Sequence, residues 1–366
     1  MKPDFSPVAS FIEETVLGAH GVPGCDILVQ KDHKVLFRHT CGLADRESGT
    51  PLAKDQLYQL YSCTKPVTVT AAIRLVEEGR LELDAPVGDY LPAFKDVHLL
   101  RNGVRVPPAK APTVRNLFTM TAGFDYDLHA PATDELLRRN PHATTREVVD
   151  SFAAKPLGFE PGDRFQYSLC HDILAAVVEE VAGMRFSDYL DHMMFKPLGM
   201  ADSGFKTSPG IHARLAAQYL WKDGKMVLTD GTNAYRRSDR WDSGGAGLVS
   251  SVADYAAFAD ALACRGDAAN GYRLLKPETV RLLRTEQLSA CAMNPAFSCA
   301  AGPGYGYGLG VRTRIDQKEG QKSPIGEFGW DGASGLYTLM DPVNRLSIVG
   351  GMQVLNWPAC IGSAHA

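Results

Sequence analysis

A serine and a lysine three residues apart, Ser62 and Lys65, are the residues of this 366-residue chain whose types and spacing best suit chemistry. In a helix, residues three apart lie on one face, about one turn from each other. An amine that has lost its proton can take the proton of the hydroxyl and leave a nucleophilic oxygen. Burial of the lysine would favour that neutral amine by lowering its pKa. The pair therefore predicts nucleophilic catalysis by Ser62, with Lys65 as its base.

The residues after Ser62 predict the helix that this pairing needs. Apolar side chains recur at helical spacing between Val67 and Val76, and Gly79 is a typical stop signal. Pro66 falls in the first turn, where its missing N–H costs little. Ser62 is therefore expected at the N-terminus of the helix, where free N–H groups and the dipole stabilise a negatively charged oxygen.

The same spacing recurs at Ser203 and Lys206, but no helical pattern follows it. We interpret this second pair as loop residues. A Ser-x-x-Lys spacing is expected by chance about once or twice in a chain of this length. Spacing alone therefore does not decide in favour of Ser62, and other parts of the chain have to.

The composition is that of an ordinary globular protein, with 45% apolar and 22% charged residues. A net charge of −4 gives no electrostatic case for binding nucleic acid or an anionic membrane. There is no run of about 18 apolar residues that could span a membrane. The N-terminal residues lack the basic start and apolar stretch of a secretion signal. With eight scattered cysteines and no Cys-x-x-Cys, we expect a cytoplasmic protein with reduced thiols.

Strand patterns lie at both ends of the chain and helical patterns lie in its middle. The expected strands cover residues 26–30, 35–39, 305–314, 335–340 and 346–352. The expected helices include one capped by Thr113, one over 172–182 and one after the glycine-rich stretch 243–247. This order predicts one α+β domain, residues 1–366. Its α/β lobe would comprise roughly residues 1–60 and 241–366, and an inserted helical lobe roughly residues 61–240.

Short motifs spread over most of the chain resemble, in this order, those of one family. They are Gly42-Leu43-Ala44-Asp45, Ser62-Cys63-Thr64-Lys65, Leu75-Val76-Glu77-Glu78-Gly79-Arg80-Leu81, Thr119-Met120-Thr121-Ala122-Gly123-Phe124, Pro161-Gly162-Asp163 with Tyr167-Ser168, Pro197-Leu198-Gly199-Met200, Gly244-Gly245-Ala246-Gly247-Leu248-Val249-Ser250 and Gly329-Trp330-Asp331-Gly332. The chain resembles the serine β-lactamase-related hydrolases, in the branch of class C β-lactamases and family VIII carboxylesterases. The resemblance implies a β-lactamase and penicillin-binding-protein-like fold, with an antiparallel sheet flanked by helices and an inserted helical lobe.

The resemblance also implies roles for three side chains that meet in one cleft. Ser62 would be the nucleophile and Lys65 its base. Tyr167 would be a second general base and the acid for the leaving group. Because the pKa of a free tyrosine is near 10, Tyr167 needs a cationic neighbour such as Lys65 to be anionic or to share a proton at neutral pH.

The resemblance also implies an oxyanion hole, whose two donors would be the backbone N–H groups of Ser62 and Ala333. Trp330 could equally fill the core or line the acyl pocket. Tyr126 would lie at the rim of the cleft, although a surface loop is the default interpretation. The candidate residues of the substrate site are therefore Ala333, Trp330, Asp331, Gly332 and Tyr126.

Two departures from the class C pattern favour ester cleavage. Tyr167-Ser168-Leu169 stands where class C β-lactamases have Tyr-x-Asn, and Trp330-Asp331-Gly332 stands where they have Lys-Thr-Gly. The missing lysine removes a cation that would bind the carboxylate of a β-lactam or peptide. The chain is similar to the esterase subgroup in two features, the Trp-x-Gly motif and an aspartate, here Asp172, that follows Tyr-Ser. The resemblance thus implies a serine carboxylesterase that acts on a small-molecule ester or amide without a metal or organic cofactor.

Two alternatives stay open: a β-lactamase or D-amino-acid peptidase of the same family, and a non-catalytic scaffold with the same fold. A thiol nucleophile at Cys63 is disfavoured, because on a helix it points about 100° away from Ser62. His171 is expected to be structural, and no His, Cys or Asp spacing predicts a metal site.

Overall fold

The computed structural model describes residues 3–205, 213–288, 303–317 and 322–357. Its largest element is an eight-stranded antiparallel sheet assembled from both ends of the chain. In spatial order the strands are β10 (Tyr305–Tyr307), β11 (Arg312–Arg314), β12 (Phe328–Gly329), β13 (Tyr337–Asp341), β14 (Leu346–Gly351), β1 (Gly24–Lys31), β2 (Lys34–Asp45) and β3 (Thr50–Pro51). This sheet, with the helices that cover it, confirms the predicted α+β class.

The sheet holds the two ends of the chain together. β1 pairs with β2 on one side and with β14 on the other, so that Leu28 lies opposite both Arg38 and Val349. Leu28 and Val349 are buried and form part of the main core. A tight turn joins β1 to β2, and Asp32 and His33 at its tip both have positive φ.

The remaining strands of the described residues form three smaller sheets. They consist of β4 (Leu57–Gln59) with β9 (Val249–Ser251), β5 (Leu99–Arg101) with β6 (Val104–Val106), and β7 (Tyr219–Lys222) with β8 (Lys225–Leu228) and β15 (Val354–Leu355). β15 pairs in parallel with β7. The β7–β8 hairpin therefore lies inside the predicted helical lobe of residues 61–240 yet pairs with the C-terminal part of the chain. The proposed lobe boundaries stay a prediction.

Most helices lie between the two groups of sheet strands. The α-helices are α1 (Ser6–Ser10), α2 (Thr64–Glu77), α3 (Val87–Tyr90), α4 (Val114–Phe118), α5 (Pro131–Arg139), α6 (Thr145–Phe152), α7 (Cys170–Ala182), α8 (Phe186–Leu190), α9 (Lys196–Leu198), α10 (Val252–Ala263) and α11 (Pro277–Leu283). Short 3₁₀ segments cover Tyr61–Cys63 and Pro92–Asp96, and wider helical turns cover Phe11–Ala19 and Asp191–Phe195. α2 packs against α7, and α10 packs on β14 and β1. No helix among the described residues is long and apolar enough to cross a membrane.

Two helix ends that were predicted from local sequence signals are present in the structure. Thr113 caps α4, because its hydroxyl accepts the N–H of Asn116 and the Asn116 side chain accepts the N–H of Thr113. Gly183 follows α7 with φ +72°, as expected of a residue that ends a helix. α7 begins at Cys170, two residues before the predicted start.

The predicted continuous strand over 305–314 is wrong, because the chain reverses within it. β10 and β11 form a hairpin, and the N–H of Gly308 bonds to the carbonyl of Val311 at 2.8 Å. Gly310 has φ +87°, in the left-handed region that favours glycine. The alternation of glycines with aromatic residues therefore reflects a tight turn as well as a strand. Lys206 of the second Ser-x-x-Lys spacing lies outside the described residues.

Candidate active site

Ser62 lies in the 3₁₀ turn Tyr61–Cys63, which connects β4 to α2. Tyr61 has φ +46°, a conformation that costs a non-glycine residue about 1–3 kcal/mol. Its hydroxyl donates to Gln218 Oε1 at 2.6 Å, and its ring packs edge-on against Tyr235. These contacts hold the strained turn that presents the Ser62 hydroxyl at the start of α2.

Lys65 is completely buried in the first turn of α2. Its Nζ donates to the carbonyl of Gly245 at 2.8 Å and to the Tyr126 hydroxyl at 3.1 Å. The same nitrogen lies 3.3 Å from Ser62 Oγ. Burial lowers the pKa of Lys65 from 10.5 to about 7. The neutral amine is therefore accessible near neutral pH.

The contacts of Lys65 leave its lone pair for Ser62. A neutral amine has two N–H donors and one lone pair. When Gly245 and Tyr126 accept the two N–H groups, the lone pair faces Ser62 Oγ and can accept the hydroxyl proton. The arrangement therefore suits a general base for the serine.

Tyr167 contacts the same serine oxygen from another direction. Its hydroxyl donates to Ser62 Oγ at 2.7 Å and accepts the indole N–H of Trp330 at 3.2 Å. Burial raises the pKa of Tyr167 above its ordinary value. Lys65 Nζ lies over the Tyr167 ring, 4.6 Å from its centroid, and so does not bond to the hydroxyl. A neutral phenol suits the expected acid, and the role of Tyr167 as a second general base stays a prediction.

A row of aromatic rings lines this polar centre. Tyr126 stacks on Tyr167 with centroids 5.3 Å apart, and Tyr167 stacks on Trp330 at 5.7 Å. Tyr235 meets Tyr126 edge-on, with ring centroids 5.7 Å apart. The default surface-loop interpretation of Tyr126 is wrong, because its hydroxyl contacts Lys65 directly. Trp330, which could have been core or pocket, is largely buried and bonds to Tyr167.

The segment Trp330-Asp331-Gly332, called the third motif below, runs against the chain that leads into Ser62. A Cβ at Gly332 would overlap the carbonyl oxygen of Leu60, so glycine permits this close approach. Ser334 Oγ donates to the carbonyl of Gln59 at 3.1 Å. Ala333 lies between these two contacts and is exposed. Its role as an oxyanion donor stays a prediction.

Comparison with known proteins identifies the family. The β-lactamase family model matches residues 10–358. This chain belongs to the β-lactamase family. Protein Rv1367c of Mycobacterium tuberculosis is 31% identical over 87% of this chain and 82% of its own length. Esterase EstB of Burkholderia gladioli is 30% identical over 89% of this chain and 84% of its own length.

A solved structure matches nearly the whole chain. EstCE1, described as a hydrolase with promiscuous acyltransferase activity, has a TM-score of 0.78 and 27% identity. The match covers 96% of this chain and 94% of EstCE1. These comparisons confirm the resemblance and the β-lactamase-like fold, and they indicate an enzyme of the hydrolase or acyltransferase class.

Asp331, whose role the sequence left unknown, forms an ion pair in this family member. Its Oδ1 accepts from Arg312 Nη1 at 3.0 Å, and Arg312 also donates to the carbonyl of Thr338 at 2.9 Å. Arg312 is almost completely buried behind the motif. Asp331 therefore neutralises the charge of a buried arginine. The motif thus contains one member of an ion pair, whereas the class C motif contains a lysine that is free to bind substrate.

Cys63 and His171 lie where the sequence placed them, in the core. The Cys63 thiol is completely buried and faces the carbonyl of Trp330 at 3.2 Å. Burial raises the pKa of this thiol well above its ordinary value. The His171 ring contacts the carbonyl of Phe118, and burial lowers the pKa of His171 to about 3. Neither side chain is in a state that suits catalysis.

The glycine-rich loop at residues 243–247 positions Lys65, a role that was not predicted from the sequence. Thr68 Oγ1 of α2 donates to the carbonyl of Gly244 at 2.7 Å. A Cβ at Gly244 would lie 2.6 Å from the Cβ of Ala175 in α7, and a Cβ at Gly245 would overlap Asp172 Oδ2. The loop therefore fits between α2 and α7 because it has no side chains there. The run of glycines was the available signal.

The expectation of no metal site needs one qualification. Among the described residues, His33, Asp260 and Cys264 have possible ligand atoms within 4.8 Å of one another. His33 Nδ1 and Asp260 Oδ2 are 2.6 Å apart and already pair with each other. This group shares no residue with the Ser62 site.

Proposed function

We propose that this protein hydrolyses carboxylic esters through an acyl-enzyme on Ser62. The observation that carries the proposal is the contact of one serine oxygen with both a buried lysine and a buried tyrosine. Ser62 Oγ lies 3.3 Å from Lys65 Nζ and 2.7 Å from the Tyr167 hydroxyl. Both distances are within reach of proton transfer once a substrate tightens the site.

In acylation, Lys65 takes the proton of Ser62 while Oγ attacks the ester carbonyl. The bond to the leaving oxygen breaks, and Tyr167 gives this oxygen its proton, so that an alcohol leaves. Lys65 then releases its proton to solvent and the Tyr167 phenolate takes one from solvent, since the two groups do not bond to each other directly. In deacylation, water gives a proton to Lys65 and attacks the acyl carbon, and Ser62 leaves with a proton from Tyr167. Proton exchange with solvent then restores the neutral lysine and the phenol, as after acylation. Ester and water thus become acid and alcohol.

Two observations support an ester over a β-lactam or peptide. The third motif offers no lysine for a substrate carboxylate, and the arginine behind it, Arg312, is already paired with Asp331. EstB, a relative at 30% identity, is an esterase. The promiscuous acyltransferase activity of EstCE1 also favours a second reaction here, in which an alcohol replaces water and the acyl group is transferred to it.

The test measures both substrate class and nucleophile. We expect faster turnover of short p-nitrophenyl esters than of a chromogenic cephalosporin, and covalent labelling by a fluorophosphonate that Ser62→Ala abolishes. Ser203→Ala, in the second Ser-x-x-Lys spacing, is the matched control and should label as the wild type does. Faster cephalosporin turnover would favour the β-lactamase alternative. Absence of labelling in the folded wild type would favour the non-catalytic scaffold.

A further inference from the structure

Asp172 is a buried carboxylate to which the proposed reaction gives no part. It lies in the first turn of α7 and is completely buried. Its Oδ1 accepts from Ser243 Oγ at 2.5 Å, and its Oδ2 lies against Gly245 so closely that a Cβ there would overlap it. The carbonyl of the same glycine accepts from Lys65 Nζ at 2.8 Å. The carboxylate and the amine therefore lie on either side of one glycine residue.

Several features stabilise the ionised form of Asp172 against its burial. Burial is the largest influence and raises the pKa of Asp172 above its ordinary value, while the Ser243 hydroxyl and the charge of Lys65 act in the opposite direction. The position in the first turn of a 13-residue helix also favours a negative charge. The Ser243 hydroxyl, the helix N-terminus and a protonated Lys65 are therefore the features that favour the ionised carboxylate against its burial.

The other titratable groups around Lys65 are held neutral near pH 7. Burial raises the pKa of the nearby thiols and phenols and lowers the pKa of the nearby imidazole. These groups are Cys63 beside α2, Tyr126, Tyr167, and Cys170 and His171 on α7. Among the described groups that face Lys65, Asp172 is thus the one that can supply a full charge, and that charge raises the pKa of Lys65.

We propose that the ionised carboxylate of Asp172 is the electrostatic partner of Lys65 and sets the pH range in which the amine serves as a base. Asp172 is a positioning residue, since Gly245 separates it from the serine and it acts through the lysine. The inference rests on the proposed role of Lys65. Without the carboxylate, burial alone would make the amine a weaker base and shift its titration to more acid pH.

The proposal predicts a crossing of two pH profiles. Removing one charge that acts across a single glycine residue in the protein interior should shift the acid limb of the rate profile to lower pH by about one unit. The weaker base should also lower the plateau at alkaline pH by about threefold. Asp172→Asn should therefore be slower than the wild type above pH 7 and about twofold faster near pH 5.5. Structural damage would slow the enzyme at every pH.

The experiment follows the rate of fluorophosphonate labelling of the full-length protein between pH 5 and pH 9, with thermal unfolding as a check on the fold. Labelling reports activation of Ser62 and requires no knowledge of the natural substrate. If nothing labels Ser62 in the wild type, the proposed function fails. If Ser62 labels but the acid limb of Asp172→Asn coincides with that of the wild type, the role of Asp172 is overturned.

Two further variants keep the test decisive. Ser243→Ala removes a hydrogen bond that stabilises the carboxylate, so its acid limb should shift in the same direction by a smaller amount. It decides the question if Asp172→Asn does not fold, and an unmoved limb in Ser243→Ala would then count against the proposal. Asp260→Asn, a buried aspartate paired with His33, is the matched control and should keep the wild-type limb.

Discussion

Lys65 and Tyr167 contact the same oxygen of Ser62 but handle protons in opposite directions in the proposed reaction. The lysine, with its pKa near 7, is poised to accept a proton. The tyrosine, with its pKa raised by burial, is poised to donate one. Their environments shift the two pKa values in opposite directions. Such a difference in pKa assigns the lysine as the base and the tyrosine as the acid.

Tyr167→Phe tests the acid at the level of one atom. Without the phenol, the leaving oxygen must depart as an anion, which is difficult for an alkoxide and easy for p-nitrophenolate. We expect kcat/KM to fall about 100-fold for an ethyl ester and by about tenfold or less for the matching p-nitrophenyl ester. The measurement is a comparison of initial rates on the two esters of one acyl group.

Trp330→Phe is the control for this variant, because it removes only the indole N–H bond to Tyr167 and keeps an aromatic ring in the stack. Its losses should be small and equal for the two esters. Equal losses for both esters in Tyr167→Phe would contradict the acid role and return the tyrosine to the role of a base.

At the residue scale, the sequence predicts identities better than states. The family resemblance, carried by the motifs and their order, was sufficient to predict that Ser62, Lys65 and Tyr167 come together. The ionisation of Tyr167 and the contact of Tyr126 with Lys65 were not predictable in this way. Both depend on burial and on the stacking of rings from distant segments, which motif order does not encode.

At the element scale, the glycine-rich loop before β9 decides where the amine of Lys65 lies. The loop passes between α2 and α7, and its carbonyl at Gly245 accepts the lysine N–H. Gly245→Ala would drive a methyl group into Asp172. The loop must then shift, and we expect a loss of about 1–3 kcal/mol in the free energy of unfolding together with a large loss of kcat/KM.

Gly204→Ala is the matched control for Gly245→Ala, since a Cβ there has open space and the backbone needs no positive φ. It should leave urea unfolding and ester turnover within error of the wild type. If Gly245→Ala behaved like Gly204→Ala, the loop would not position the lysine as described.

Element prediction succeeded where a local signal acts alone and failed where a contact overrides it. The Thr113 cap and the stop at Gly183 are local, and both helix ends are present. The segment 305–314 has strand-like alternation, but Gly310 turns it back. A Cβ at Gly310 would collide with Val69 of α2, so a packing partner some 240 residues away requires this glycine.

At the scale of the whole molecule, the site requires the ionisable side chain of Lys65 to be buried in the protein interior together with the surrounding residues of α2. Of the α2 residues, Thr64 to Ile73 are all buried, and Lys65 lies among them. Burial of a lysine is unfavourable for its charged form, which the unfolded chain retains up to about pH 10. The protein should therefore be less stable at neutral pH than an isosteric apolar variant, as is common for catalytic sites.

The sign of this effect fixes how it depends on pH. The folded-state pKa of Lys65 is about 7 and its ordinary value is 10.5, so between these values the unfolded state binds the proton that the folded state has released. Stability attributed to Lys65 must therefore rise with pH over this window. The free energy of unfolding of the wild type minus that of Lys65→Met should increase by about 3 kcal/mol from pH 7 to pH 10. Urea unfolding of both proteins at both pH values measures this difference, and Ser62→Ala, which keeps the lysine, should show no such increase against the wild type. A difference that stays constant with pH would mean that the amine remains protonated in the folded protein, and Lys65 could not then be the base.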